Sequence, residues 1–69
     1  MADSVYKVIE LVGSSSKSWE EAAGVAIRKA AKSLRDLRVA EVVQQDVSIE
    51  DGKPSQYRVK LRLSFKFEE

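Results

Sequence analysis

From Tyr57 to Glu68 the chain alternates between apolar and polar residues without a slip. Tyr57, Val59, Leu61, Leu63, Phe65 and Phe67 interleave with Arg58, Lys60, Arg62, Ser64, Lys66 and Glu68. Successive side chains on a strand point to opposite faces, so this run predicts a long strand with one apolar and one mostly basic face. A strand of this kind is not stable alone. It needs neighbours for its backbone groups and a cover for its apolar face.

The rest of the chain predicts those parts. Glu50-Asp51-Gly52-Lys53-Pro54-Ser55, just before the alternating run, contains Asp-Gly and reads as a hairpin turn. Upstream of it, Arg38 to Ile49 reads as a second strand, antiparallel to the first. Val39, Val43, Val47 and Ile49 share one parity, and Ala40 and Val42 share the other. That mid-strand slip fits a bulge, or cover on both faces. Near the start, Val5 to Val12 is rich in β-branched residues and predicts a third strand, closed by a turn at Gly13-Ser14-Ser15-Ser16. Between these lies a helix. Ser18 and Glu21 have the spacing of a capping box, Glu20 and Glu21 complement the positive end of the helix dipole, and the body is predicted to run from Trp19 to about Leu37. Ala23, Ile27, Ala30, Leu34 and Leu37 form its expected apolar stripe, with Arg28, Lys32 and Arg35 opposite.

The order is strand, helix, strand, strand: an α+β class, β-α-β-β, in one domain over residues 1–69. A helical crossover makes the first two strands parallel, which puts the alternating strand between them, antiparallel to both. The sheet then carries one helix on one face. The basic face of its central strand stays uncovered within the subunit, and two sheet edges stay open.

Size turns those open surfaces into an argument. The chain has 69 residues, no Cys and no His. Below about 70–80 residues a single core rarely supplies more than about 3–5 kcal/mol. Without Cys or His, neither disulfides nor a zinc site of the usual kind can compensate. Self-association is therefore the expected source of stability. The missing groups also remove the commonest nucleophile–base pairs, so a binding protein is expected rather than an enzyme. No apolar run is long enough for a membrane span or a signal core, which makes a cytoplasmic location the expectation.

Several constellations carry candidate chemistry. The stripe Arg58, Lys60, Arg62 and Lys66 could follow a phosphate backbone. A net charge of +1, with no aromatic residues interleaved on that face, favours a solvated or ion-paired face over nucleic acid. Asp46, Glu50 and Asp51 near the hairpin turn, and Glu41 further back, are candidate ligands for a hard cation such as calcium, though their spacing is not that of an EF-hand loop. Trp19 reads as an anchor of the helix over the sheet edge, or as a platform for a ligand ring. Gln44 and Gln45 could hydrogen-bond a heterocycle or pair along an edge.

Five segments together resemble the dodecins: Tyr6 to Ser15, Ser18 to Ala22, Ser33 to Arg38, Tyr57-Arg58-Val59 and Ser64-Phe65-Lys66. The likeness runs from about Val5 to Glu68. It implies a β-α-β-β subunit within a hollow homododecamer that binds and stores flavins such as riboflavin or FMN, in pairs, without turnover. The flavin-stacking Trp of the family falls at Val39 here, and the Gln that meets the flavin edge falls at Arg58, with Arg38 and Gln45 as neighbouring candidate contacts. Valine has no π face, and arginine donates hydrogen bonds but accepts none. The sequence is thus nearer the dodecin subgroup that lacks the Trp, some of which are calcium dodecins. The expected partners are further copies of the chain and a small ligand or cation.

Overall fold

A computed structural model of the chain describes residues 3–67. The elements are β1 (Tyr6–Ser15), α1 (Trp19–Ala31), β2 (Leu37–Glu50) and β3 (Lys53–Lys66). In the sheet the order is β1-β3-β2, and both outer strands run antiparallel to β3. The alternating run is therefore the central strand, as its pattern requires. Its last polar position, Glu68, lies outside the described residues.

The pattern decides which residues are covered. Val59, Leu61 and Leu63 of β3 are buried beneath Ala22, Ala26 and Ala30 of α1, and these six form the core. The line of closest approach on the helix is Ala22-Ala26-Ala30, while the expected Ala23 and Ile27 flank it, partly buried. Alanine takes the central line because the helix backbone passes close to the sheet, and longer side chains fit only beside it.

Gly13 shows how close that approach is. It pairs with Val59 on the helix face of β1, and a Cβ there would overlap the Ala22 carbonyl oxygen and lie 3.0 Å from Ala26 Cβ. The expected turn at Gly13–Ser16 is accordingly displaced, because β1 continues through Ser15. The glycine marks a crossing of backbones, not a reversal of the chain.

The helix also ends earlier than its apolar spacing suggests. It stops at Ala31, Lys32 caps it, and Ser33 and Leu34 both donate to the Ala30 carbonyl at 3.1 and 2.9 Å. Asp36 then turns the chain with φ at 60°, and its carbonyl accepts from the Lys66 amide at 3.3 Å. Leu34 and Leu37 still pack on the core, one from the connector and one from the first residue of β2. Helical spacing was thus met without helix, at a point where Ser33 and Asp36 offer polar alternatives to helical hydrogen bonds.

Ser18 caps α1 as expected, accepting from the Glu21 amide at 2.9 Å. The Glu21 carboxylate accepts from Arg28 at 3.0 Å instead of reaching back to the cap. Gly24 lies inside the helix, and a Cβ there would meet only the movable end of Arg28, at 2.9 Å. Gly24→Ala is therefore expected to stabilise the subunit by about 1 kcal/mol, read as a higher denaturation midpoint. A lower midpoint would mean that the helix backbone is in close contact at Gly24.

The hairpin is tight. Glu50 pairs with Lys53, and Asp51 and Gly52 both have positive φ, 52° and 74°, so Asp-Gly alone makes the turn and β3 begins at Lys53. β2 has three register irregularities, at Leu37/Val39, Val42/Gln44 and Ser48/Ile49, and the slip in its sequence is a real bulge pattern.

The helix is too short for its sheet. Thirteen residues of helix span about 20 Å, whereas a strand of fourteen spans about 46 Å. α1 lies over β1 and β3 and scarcely touches β2. Most of β2 and the whole opposite face of the sheet stay open to solvent.

Candidate functional site

That open face is built by register. Opposite Arg58 stand Ser14 of β1 and Asp46 of β2. Opposite Lys60 stand Val12 and Gln44, and opposite Arg62 stand Glu10 and Glu41. Asp46 accepts from Arg58 Nε and Nη2 at 2.7 and 2.8 Å, a two-pronged pair. Arg62 bonds Glu10 at 3.0 Å and approaches Glu41 at 3.6 Å, so one guanidinium links all three strands.

The stripe that read as basic in sequence is thus largely neutralised within its own sheet. Asp46, held by Arg58 through hydrogen bonding and then by charge, titrates below the usual carboxylate range. Arg58 is held correspondingly further into its charged form by the same bonds. The depressed Asp46 value means that the stability from this pair is present above the ordinary carboxylate pKa and is lost only as pH falls through the lowered one.

At the other end the same face is apolar. Tyr6 and Val8 of β1 and Val39 of β2 are 47%, 50% and 61% exposed, grouped around Ser64 and Lys66. Ser64 Oγ donates to the Val39 carbonyl at 3.5 Å.

The candidate ligand positions separate accordingly. Val39 and Arg58 lie on the open face, but Val39 pairs with Ser64, six residues along β3 from Arg58, which places them about 20 Å apart. Arg38 is exposed beside Val39, at the irregularity that opens β2. Gln45 pairs with Val59 and faces the helix side, lining a depression of about 210 Å³ with Trp19, Ala23 and Val42. One subunit brings Arg38 and Val39 together and keeps Arg58 and Gln45 apart from them. Within one chain, a ligand that touches both Val39 and Arg58 has to span about 20 Å.

Trp19 serves as an anchor. Its Nε1 donates to the Asp46 carbonyl at 3.0 Å, and its ring meets Tyr57 edge to face at 5.0 Å between centroids. It ties the start of α1 to β2, and its ring lines the depression beside Gln45. Asp46, Glu50 and Asp51 do not form a cluster. Asp46 is on the open face with Arg58, and Asp51 is in the turn. Among the described residues no group of three or more acidic side chains is placed to hold a metal ion. No helix there is long and apolar enough to cross a membrane.

Sequence reasoning missed the partner of Arg58. Counted straight back from the Glu50–Lys53 pair, Arg58 would face Gln45. The irregularity between Ser48 and Ile49 moves it opposite Asp46 instead.

A three-stranded β1-β3-β2 sheet under one alanine-faced helix, with an open, ion-paired outer face, defines a small α+β fold. Residues 5–68 match the family model described as Dodecin. The chain belongs to the dodecin family. It is 48% identical to the calcium dodecin of Mycobacterium tuberculosis over 91% of this chain and 89% of that protein. A solved structure of that protein, described as having a novel calcium-binding site, superposes with a TM-score of 0.84 at 46% identity, covering 94% of this chain and 93% of that one. Dodecin from Thermus thermophilus is 38% identical over 94% of both chains. Dodecin from Streptomyces coelicolor superposes with a TM-score of 0.95 at 38% identity, over 100% of this chain and 99% of that one.

Proposed function

We propose that the chain is the subunit of a closed homo-oligomer, twelve copies as the family resemblance implies, that binds a small ligand or cation in the cytoplasm without catalytic turnover. One observation carries the assembly. Only seven of the described residues are buried, Gly13 and the six of the core, while Tyr6, Val8 and Val39 stand 47–61% exposed side by side at one end of the open face. Contiguous apolar surface on that scale marks sites of association. Light scattering on the purified protein is expected to give a mass near twelve times 7.7 kDa. A stable monomer would overturn the proposal.

Flavin storage, as in flavin-binding dodecins, is not the cargo we propose. Val39 offers no ring to stack on, and the Arg58 guanidinium is already committed to Asp46. Riboflavin fluorescence should therefore stay almost unquenched on titration with the protein. Val39→Trp should gain affinity by the worth of one stacking contact, about 1–3 kcal/mol. Strong quenching by the unaltered protein at micromolar concentration would reinstate flavin.

A cation is the reading favoured by likeness to a relative named calcium dodecin. Since one subunit gathers no acidic triad among its described residues, the ligands would come from more than one copy or include backbone carbonyls. Calorimetry with Ca²⁺ after chelator treatment tests it: saturable heat supports a cation site, and flat heats remove it.

A further inference from the structure

The three cations along the middle of β3 are not treated alike. Arg58 has Asp46 opposite and Arg62 has Glu10 and Glu41, but Lys60 lies between Val12 and Gln44 and makes no ion pair among the described residues. It is also the one of the three that is half-buried rather than exposed. It borders a depression of about 230 Å³ on the open face, lined by Val12, Gln44, Asp46, Arg58 and Lys60. That volume is several times the room one water occupies.

The chemistry of the lining favours an anion. Lys60 presents three N–H donors and no acceptor, and the Gln44 amide can add two more. Asp46 is the only carboxylate in the lining, and both its oxygens are engaged by Arg58, whose Nη1 is left outside that pair. Arg58 and Asp46 cancel each other, so the lining carries one net positive charge, that of Lys60. The Arg62 cluster, one cation on two carboxylates, lies one register step further along β3, and neither carboxylate closes on Lys60.

We propose that this depression is a binding site for a compact anionic group, the phosphate or carboxylate of a small molecule, held by Lys60 and Gln44 with Val12 as its apolar wall. This goes beyond the assembly proposed above, and its failure would leave the oligomer mass unchanged.

The test uses the purified assembly and inorganic phosphate as the probe, by calorimetry, with sodium chloride at matched ionic strength to remove general screening. Saturable phosphate binding is expected. Lys60→Gln should weaken it at least tenfold, while Lys17→Gln, at an exposed position outside the site, should leave it unchanged. Acetate binding at the same residues would mark the site as a general carboxylate and phosphate receptor, and phosphate alone would narrow it to phosphate. Should Lys60→Gln lose its assembly mass, Gln44→Leu carries the test, because it alters no charge and should still cost severalfold in affinity. Absence of saturable binding to the native protein would overturn the site. So would equal phosphate binding by Lys60→Gln or, where that variant does not assemble, by Gln44→Leu.

Discussion

Leu61→Ala is expected to destabilise the subunit by about 2–5 kcal/mol, which is comparable to all that a core of this size can supply alone. Leu61 is 1% exposed at the middle of β3, with Leu11 of β1 and Val42 of β2 opposite and the alanine line of α1 above. Shortening it opens a void at the one place where all four elements meet. The neighbours cannot close that void, since small residues already bring the helix close to the sheet. The measurement is denaturant unfolding together with assembly mass, because loss of the subunit's core should appear as loss of the oligomer. A cost below about 1 kcal/mol would mean that the stability resides between copies and not beneath the helix.

Gly13→Ala is expected to be the most damaging single-methyl addition, at about 1–3 kcal/mol or beyond. The added carbon would strike the Ala22 carbonyl oxygen and crowd Ala26 Cβ. The first obstacle is backbone, which cannot rotate away as a side chain does. The helix would have to lift from β1, losing contacts along the whole Ala22-Ala26-Ala30 line. Ser14→Ala is the control, one residue along on the opposite, exposed face, and should stay within about 0.5 kcal/mol. Thermal unfolding by circular dichroism compares the two. Equal midpoints would show that β1 and α1 do not approach as closely as Gly13 implies.

These residues show where the sequence was legible. The alternation of β3, the Ser18 cap and the Asp-Gly turn are local signals, each set by one or a few neighbouring residues, and all three stand in the structure. Gly13 was visible as a glycine but read as a turn, because its reason is Ala22, nine residues away in sequence and close only in space. Leu34 and Leu37 were read as helix because spacing reports burial and not the backbone that achieves it.

The candidate site was legible in its residues and not in its pairing. Arg58, Lys60 and Arg62 could be placed on one face from period two alone. Which of them meets a carboxylate depends on the register of β2, and irregularities at Ser48/Ile49 and Val42/Gln44 shift that register and then restore it. A bulge changes a cross-strand partner without changing the alternation of β3, so nothing in that strand announces it.

The sequence by itself therefore determined the elements and their order, since these follow from local periodicity and turn chemistry. Only the tertiary structure decided that the basic stripe is neutralised at Arg58 and Arg62 and left open at Lys60. Ion pairing requires side chains within a few ångströms, and across a bulged sheet that distance is set by the fold as a whole.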